Sequence, residues 1–191
     1  YSQRLSTGYR HDDCQFYMPG FWYRRNLRSP KDAPSFHSSD SWLVREDRLS
    51  APLTGVYSEK EKHFVTVIRI DKFAEEALST HREGEIILSG KTSLGFTGFE
   101  NQDGITALSF GFPYREAPKS YIRKLTLAPA VEAFQFLKKG ETVLLTWEIQ
   151  ENKADDYSDF ICHAWEYSYD TYGPKPVETP NSITDMKQVL S

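Results

Sequence analysis

The sequence predicts a mainly β protein: an antiparallel β-sandwich with a short plug helix and a C-terminal linker helix. Three observations carry this. Between residues 63 and 150 the chain runs through successive short stretches of β-branched and aromatic residues, several of them bounded by glycine or proline. One pair of such stretches flanks Asn101-Gln102-Asp103-Gly104, a strong signal for a tight hairpin. Four Trp, eleven Tyr and twelve Phe stand against only two Met, a balance that fits pleated, half-buried surfaces better than a helical bundle.

Taken in chain order, FYMPGFWYRRNLR (16–28) sets five aromatic rings beside Arg24, Arg25 and Arg28. As a strand it would turn its rings to the core and its arginines to water. SWLVREDRLSAPLTGVY (41–57) is the second dense segment. HFVTVIRI (63–70) is β-branched and apolar on both faces, as a central strand of a layered fold would be. GEIILSG (84–90) is a short strand candidate between glycines. TSLGFTGFE (92–100) and ITALSFGFPY (105–114) alternate glycine with aromatics, which predicts rings laid over bare backbone across the pair. YIRKLTL (121–127) and VLLTWEIQ (143–150) read as two more strands.

Helical spacing appears twice before the C-terminus. In AVEAFQFLKKG (130–140), Val131, Phe134, Leu137 and Lys138 share one side and Gly140 suits the position after the helix, which predicts the plug. In 155–173, Phe160, Ala164, Tyr167 and Thr171 repeat along one stripe, widened by Ile161, Trp165 and Tyr172. Ser158 or Asp156 can cap its start and Gly173 its end. Three prolines within 173–182 mark a linker, and Ile183, Met186, Val189 and Leu190 then follow helical spacing. Those last residues suit either the first turns of a following domain or a frayed terminal helix. The expected organisation is a β-sandwich over 1–154, a linker helix and Pro-rich linker over 155–180, and the start of a helical domain over 181–191.

Composition excludes several classes. No apolar run reaches the roughly 20 residues that span a bilayer as a helix, so no membrane span is expected. A net charge of −4 argues against a general nucleic-acid binder. No nucleophile elbow, phosphate-binding P-loop, dinucleotide fingerprint or HExxH motif occurs, and no cofactor is implied. His11, Asp12, Asp13 and Cys14 cluster, as do Cys162 and His163, but neither group has the paired spacing of a zinc site, and no metal site is expected. Cys14 and Cys162 either pair or stay as two free thiols.

The candidate ligand-binding residues are Trp22, Tyr23, Arg24, Trp42 and Arg45. Aromatic faces stack on the C–H-rich faces of sugars, and guanidinium groups donate to hydroxyls, so this set suits a carbohydrate. The competing expectation is structural, with rings in the core and Arg45, Glu46, Asp47 and Arg48 forming ion pairs. Glu46 and Asp47 fit an acid/base pair poorly, because adjacent strand residues point to opposite faces.

The stretches WLVREDRLSAPLTGVY, LKKGETVLLTWEI and AWEYSYDTYGPKP, followed by a new helical pattern, resemble the N-terminal β-sandwich of multi-domain bacterial glycoside hydrolases whose catalytic domain is an (α/α)6 barrel. That sandwich is similar to the galactose-mutarotase-like super-sandwich. The resemblance implies a secreted, extracytoplasmic protein of the periplasm or cell surface. It implies a non-catalytic domain that packs on the following barrel and helps shape its cleft, with an oligo- or polysaccharide as the ligand. The acid/base carboxylates would lie in the barrel, so no catalytic residue falls within this chain. An autonomous carbohydrate-binding module and a protein-interaction sandwich are the alternatives.

Overall fold

Odd and even residues of the strand His63–Arg69 enter two different interiors. Val65 and Val67 join one buried cluster, while Phe64 and Ile68 join another. Period-two alternation sends neighbours to opposite faces of a sheet, so a strand apolar at every position needs a cover on both sides. A second sheet supplies one cover and a helix the other.

The computed structural model describes residues 1–24, 41–71, 92–123, 126–135 and 137–175. Among these, the strands are β1 (Ser2–Arg10), β2 (Cys14–Met18), β3 (Trp22–Arg24), β4 (Ser41–Arg45), β5 (Leu53–Ser58), β6 (His63–Arg69), β7 (Phe96–Gln102), β8 (Ile105–Gly111), β9 (Arg115–Arg123), β10 (Thr126–Glu132) and β11 (Trp147–Lys153). One helix, α1 (Tyr157–Tyr172), follows. A six-stranded sheet has the order β1-β8-β7-β4-β9-β10 and a five-stranded sheet the order β11-β6-β5-β2-β3. Every pairing is antiparallel, as the predicted β-sandwich requires.

The cluster between the sheets joins Phe16, Trp22, Val56 and Val65 of one to Trp42, Val44, Phe99 and Leu108 of the other. The second cluster lies on the outer face of the five-stranded sheet. There Tyr17, Leu53, Tyr57, Phe64 and Ile68 meet Tyr157, Phe160 and Ala164 of α1. Burying each of these large apolar side chains stabilises the fold by about 1.5–3 kcal/mol before entropy is counted. Gly55 lets the helix in: a Cβ there would fall 2.7 Å from the Phe160 ring. The 155–173 helix therefore forms where its spacing predicts, capped by Asp156 and ended by Gly173 at φ +50°. It is a third layer of the sandwich as well as its exit.

The β7–β8 hairpin turns at Asp103 (φ +51°) and Gly104 (φ +88°), and Asn101 Oδ1 accepts from the Gly104 N–H at 2.8 Å. Phe96 sits opposite Gly111 with its ring over the bare backbone, as the glycine–aromatic alternation predicts.

Three expectations need correction. The plug helix over 130–140 does not form among the described residues. Val131 and Glu132 continue β10 against Glu116 and Arg115, Gly140 lies in a turn, and Phe134 and Leu137 stay exposed. A helix there would have had to bury that apolar side, whereas the ladder to β9 satisfies the backbone directly. The single strand read over 121–127 divides between the two arms of the β9–β10 pair. The strand read over 143–150 begins only at Trp147. The candidate strand at 84–90, most of the 173–182 linker and the helical pattern at 183–190 lie outside the described residues.

Candidate functional site

The alternating charges that follow β4 build a clasp. Glu46 turns inward and its side chain is fully buried; its Oε2 accepts from Arg69 Nη1 and from the Gly95 N–H, each at 2.7 Å. Burial pushes the Glu46 carboxyl up, against the downward pull of Arg69 and the Gly95 N–H. Arg69 also donates to the Ser93 carbonyl at 2.6 Å. Outside this centre, Arg48 grips Glu116 through both carboxylate oxygens, and Ser120 donates to the same group. Arg45 pairs with Asp47 and lies 5.2 Å from the centre of the Tyr114 ring. Glu46 and Asp47 thus serve different arginines. The cluster ties β4, β6 and the chain at 93–95 together, a structural use of charge rather than an acid/base pair.

Among the sugar-platform candidates, Trp22 and Trp42 are core residues. Their ring centroids lie 5.7 Å apart, Trp22 meets Phe99 edge-on at 5.3 Å, and the Trp22 indole donates to the Arg24 carbonyl at 2.9 Å. Tyr23 and Arg24 instead point away from the sandwich interior, beside α1. Tyr23 is 47% exposed, and the Gly20 N–H donates to its hydroxyl at 3.1 Å. Arg24 adopts φ +56°, gives its N–H to the Tyr157 hydroxyl at 2.8 Å and lays its guanidinium 5.2 Å over the Tyr157 ring. The five candidates do not share one surface: two are interior, two border the helix, and Arg45 belongs to the clasp.

Two further exposed rings on α1 are not among the ligand candidates read from the sequence. Trp165 is 46% and Tyr169 60% exposed, both on the flank of α1. The helical stripe placed Trp165 at its margin. The signal was angular: at about 100° per residue, Trp165 and Tyr169 fall well off the axis through Phe160, Ala164 and Ser168.

Comparison with protein-family models, curated proteins and solved structures gives no match.

On the far side of the five-stranded sheet, the two sheets end on edge strands β1 and β11, and a cleft of about 840 Å³ opens between them. Tyr1, Phe110, Phe112, Leu144, Trp147 and Ile149 are among its lining residues. Its volume is in the range of small-molecule sites, but its border is unusually aliphatic for exposed surface. Leu144 is 84% exposed, and Leu137, Val143 and Ile149 are also exposed.

Elsewhere among the described residues, two buried chemistry-bearing side chains make contacts inside the fold. His11 is buried with Nδ1 3.0 Å from the Thr106 hydroxyl, and the buried Cys14 thiol donates to the Arg10 carbonyl at 3.2 Å. Cys14 and Cys162 form no disulfide, and the second is exposed on α1. Among the described residues, no three His, Cys, Asp or Glu side chains gather as a metal site would need, and no helix is long and apolar enough to cross a membrane.

Proposed function

We propose that this chain is a non-catalytic β-sandwich of a secreted carbohydrate-processing enzyme of the glycoside hydrolase type, and that it packs on a helical catalytic domain of the same polypeptide. The observation that carries the reading is the aliphatic cleft between β1 and β11. Leu137, Val143, Leu144 and Ile149 put four exposed aliphatic side chains on the border of one cleft, the composition expected of a surface that another protein layer covers. The Pro-rich stretch after Gly173 and the helical spacing of Ile183, Met186, Val189 and Leu190 supply the connection to a helical neighbour. The acidic groups nearest the dense 41–57 segment are committed to arginines, which leaves the chemistry of hydrolysis to the neighbouring domain.

The test uses the longer polypeptide that carries the following domain. Leu144→Asp should leave the sandwich folded but split a shared thermal transition into two and lower hydrolase activity severalfold. The 191-residue chain alone should hydrolyse no glycan in a broad substrate panel. Turnover by the chain alone, or an unchanged single transition in the Leu144→Asp protein, overturns the proposal.

A further inference from the structure

We infer that the β3–α1 border is a binding platform for a neutral polysaccharide, formed by Tyr23, Trp165 and Tyr169 with Arg24 at its edge. This inference is independent of the docking role proposed for the β1–β11 cleft, because β3 and β11 are the opposite edges of the same sheet.

Two of the rings share a buried neighbour, and the third follows one turn on along the same helix. Tyr17, which is almost wholly buried, lies beneath two of them: its ring is 5.4 Å from that of Tyr23, and its hydroxyl is close to the Trp165 indole. Tyr169 stands one helical turn beyond Trp165, about 6 Å along the axis. Each ring keeps roughly half of its surface in water.

The rings are also held before any ligand arrives. Tyr23 is paired with Tyr17 across β2 and β3, and its hydroxyl is pinned by the Gly20 N–H. Trp165 and Tyr169 sit in the interior of a helix whose buried face is locked by Phe160 and Ala164. Stacking on fixed rings avoids most of the ordering cost that a mobile side chain would add.

The surrounding chemistry selects the class of ligand. Exposed Glu166 and Asp170 follow the two helical aromatics by one residue each, and the Arg24 guanidinium lies across Tyr157 at the start of the helix. Aromatic faces with a guanidinium beside them, on a helix that also carries exposed carboxylates, match a ligand with C–H faces and hydroxyl edges. The net charge of −4 and the exposed Glu166 and Asp170 on the same helix disfavour a phosphate backbone. A docked protein layer is better served by the aliphatic border of the cleft, where the exposed side chains are Leu, Val and Ile. Exposed carboxylates on the same helix and a single nearby guanidinium favour an uncharged glycan over a polyuronate.

The probes are soluble mixed-linkage β-glucan, glucomannan and arabinoxylan, with polygalacturonate as the charged comparison. Binding to the 191-residue chain is read by retardation in affinity gels and by tryptophan emission, to which half-exposed Trp165 is the most responsive indole. At least one neutral glycan should bind and shift the emission. Trp165→Ala should weaken that binding roughly tenfold, Tyr169→Ala severalfold, and Trp165→Phe should restore much of it. Leu144→Asp should bind as the unaltered chain does, while still failing the docking test above. Absence of binding to every neutral glycan overturns the inference. So does unchanged binding by Trp165→Ala with its helical circular dichroism intact, or loss of binding in Leu144→Asp, which would place the ligand in the cleft.

Discussion

Between the two sheets, the large buried rings of Phe16 and Phe99 stack at 3.9 Å among Val56, Val65, Val67 and Leu108, groups with nothing to hydrogen-bond. Beneath α1, by contrast, Tyr17, Tyr57, Tyr157, Tyr167 and Tyr172 put a hydroxyl on most of the large rings. Several of those hydroxyls reach backbone. Tyr157 donates to the Phe16 carbonyl at 2.8 Å, Tyr57 reaches the Ala154 and Asp155 carbonyls, and Tyr172 donates to that of Arg69. The difference separates two tasks. Burial of apolar surface has no direction and suffices to hold one sheet on another. A single helix lying on a flat sheet can slide or turn, and phenols aimed at particular carbonyls fix its position. The exposed rings on the flank of α1 inherit that fixed position.

The strongest way to break this comparison is Phe160→Ala. The ring is fully buried, meets Tyr17 and Tyr157 edge-on, and packs against Tyr57 and Phe64 over Gly55. Its removal should cost about 3–5 kcal/mol. In a denaturant titration the helical circular dichroism should be lost before the emission of core Trp22 and Trp42 red-shifts. Coincident transitions at both probes would mean that the two interiors unfold as one unit.

Alkaline pH should sharpen the same contrast. Burial pushes the phenols of Tyr17, Tyr157, Tyr167 and Tyr172 up, that of Tyr167 to about 12, and all four belong to the helix layer. Between the sheets Tyr9 is the counterpart, pushed to about 12 by burial and by the nearby Glu151 carboxylate. An unfolded phenol titrates near 10, so above that pH the unfolded chain binds fewer protons than the folded one. This contribution to stability is complete below about pH 10 and is lost as pH rises through the folded values. Helical dichroism should therefore fall before the sandwich opens. Tyr157→Phe should cost about 1–3 kcal/mol at neutral pH, since it strips a donor from the Phe16 carbonyl and an acceptor from the Arg24 N–H. It should also flatten the alkaline loss; an unaltered profile would remove the phenols from the account.

Local signals were legible in the sequence, and contacts between distant stretches were not. Two-sided apolarity at 63–70, the turn at 101–104 and the capped stripe at 155–173 each depend on neighbours in sequence, and each took the expected form. Residues 130–140 failed because their helical spacing competes with a strand partner at 115–123 that no short window includes. The proposed platform is half legible. Trp22 and Tyr23 are adjacent in a strand, so one of them had to face inward, and composition alone did not say which. The helical spacing of Trp165 groups it with the stripe that packs on the sheet, although its ring is half exposed. The cleft joins Tyr1, Phe110 and Leu144, three distant stretches that meet only after both sheets have closed.

The finest probe of the comparison is the cap of α1. The Asp156 side chain accepts from the Asp159 N–H at 2.9 Å, which satisfies one of the first donors of the helix, and Asp159 accepts from the N–H of Asp155, the residue before the cap, at 3.0 Å. Neither group touches the cluster between the sheets. Asp156→Ala should destabilise the helix layer by about 0.5–2 kcal/mol, and Asp156→Asn should hold most of it, because an amide oxygen caps as well as a carboxylate. Thermal melts followed by helical dichroism should show this shift, while core tryptophan emission stays nearly in place. An equal shift at both probes would show that even the last turn of chemistry at the helix start is felt across the five-stranded sheet, and would join the two interiors into a single cooperative body.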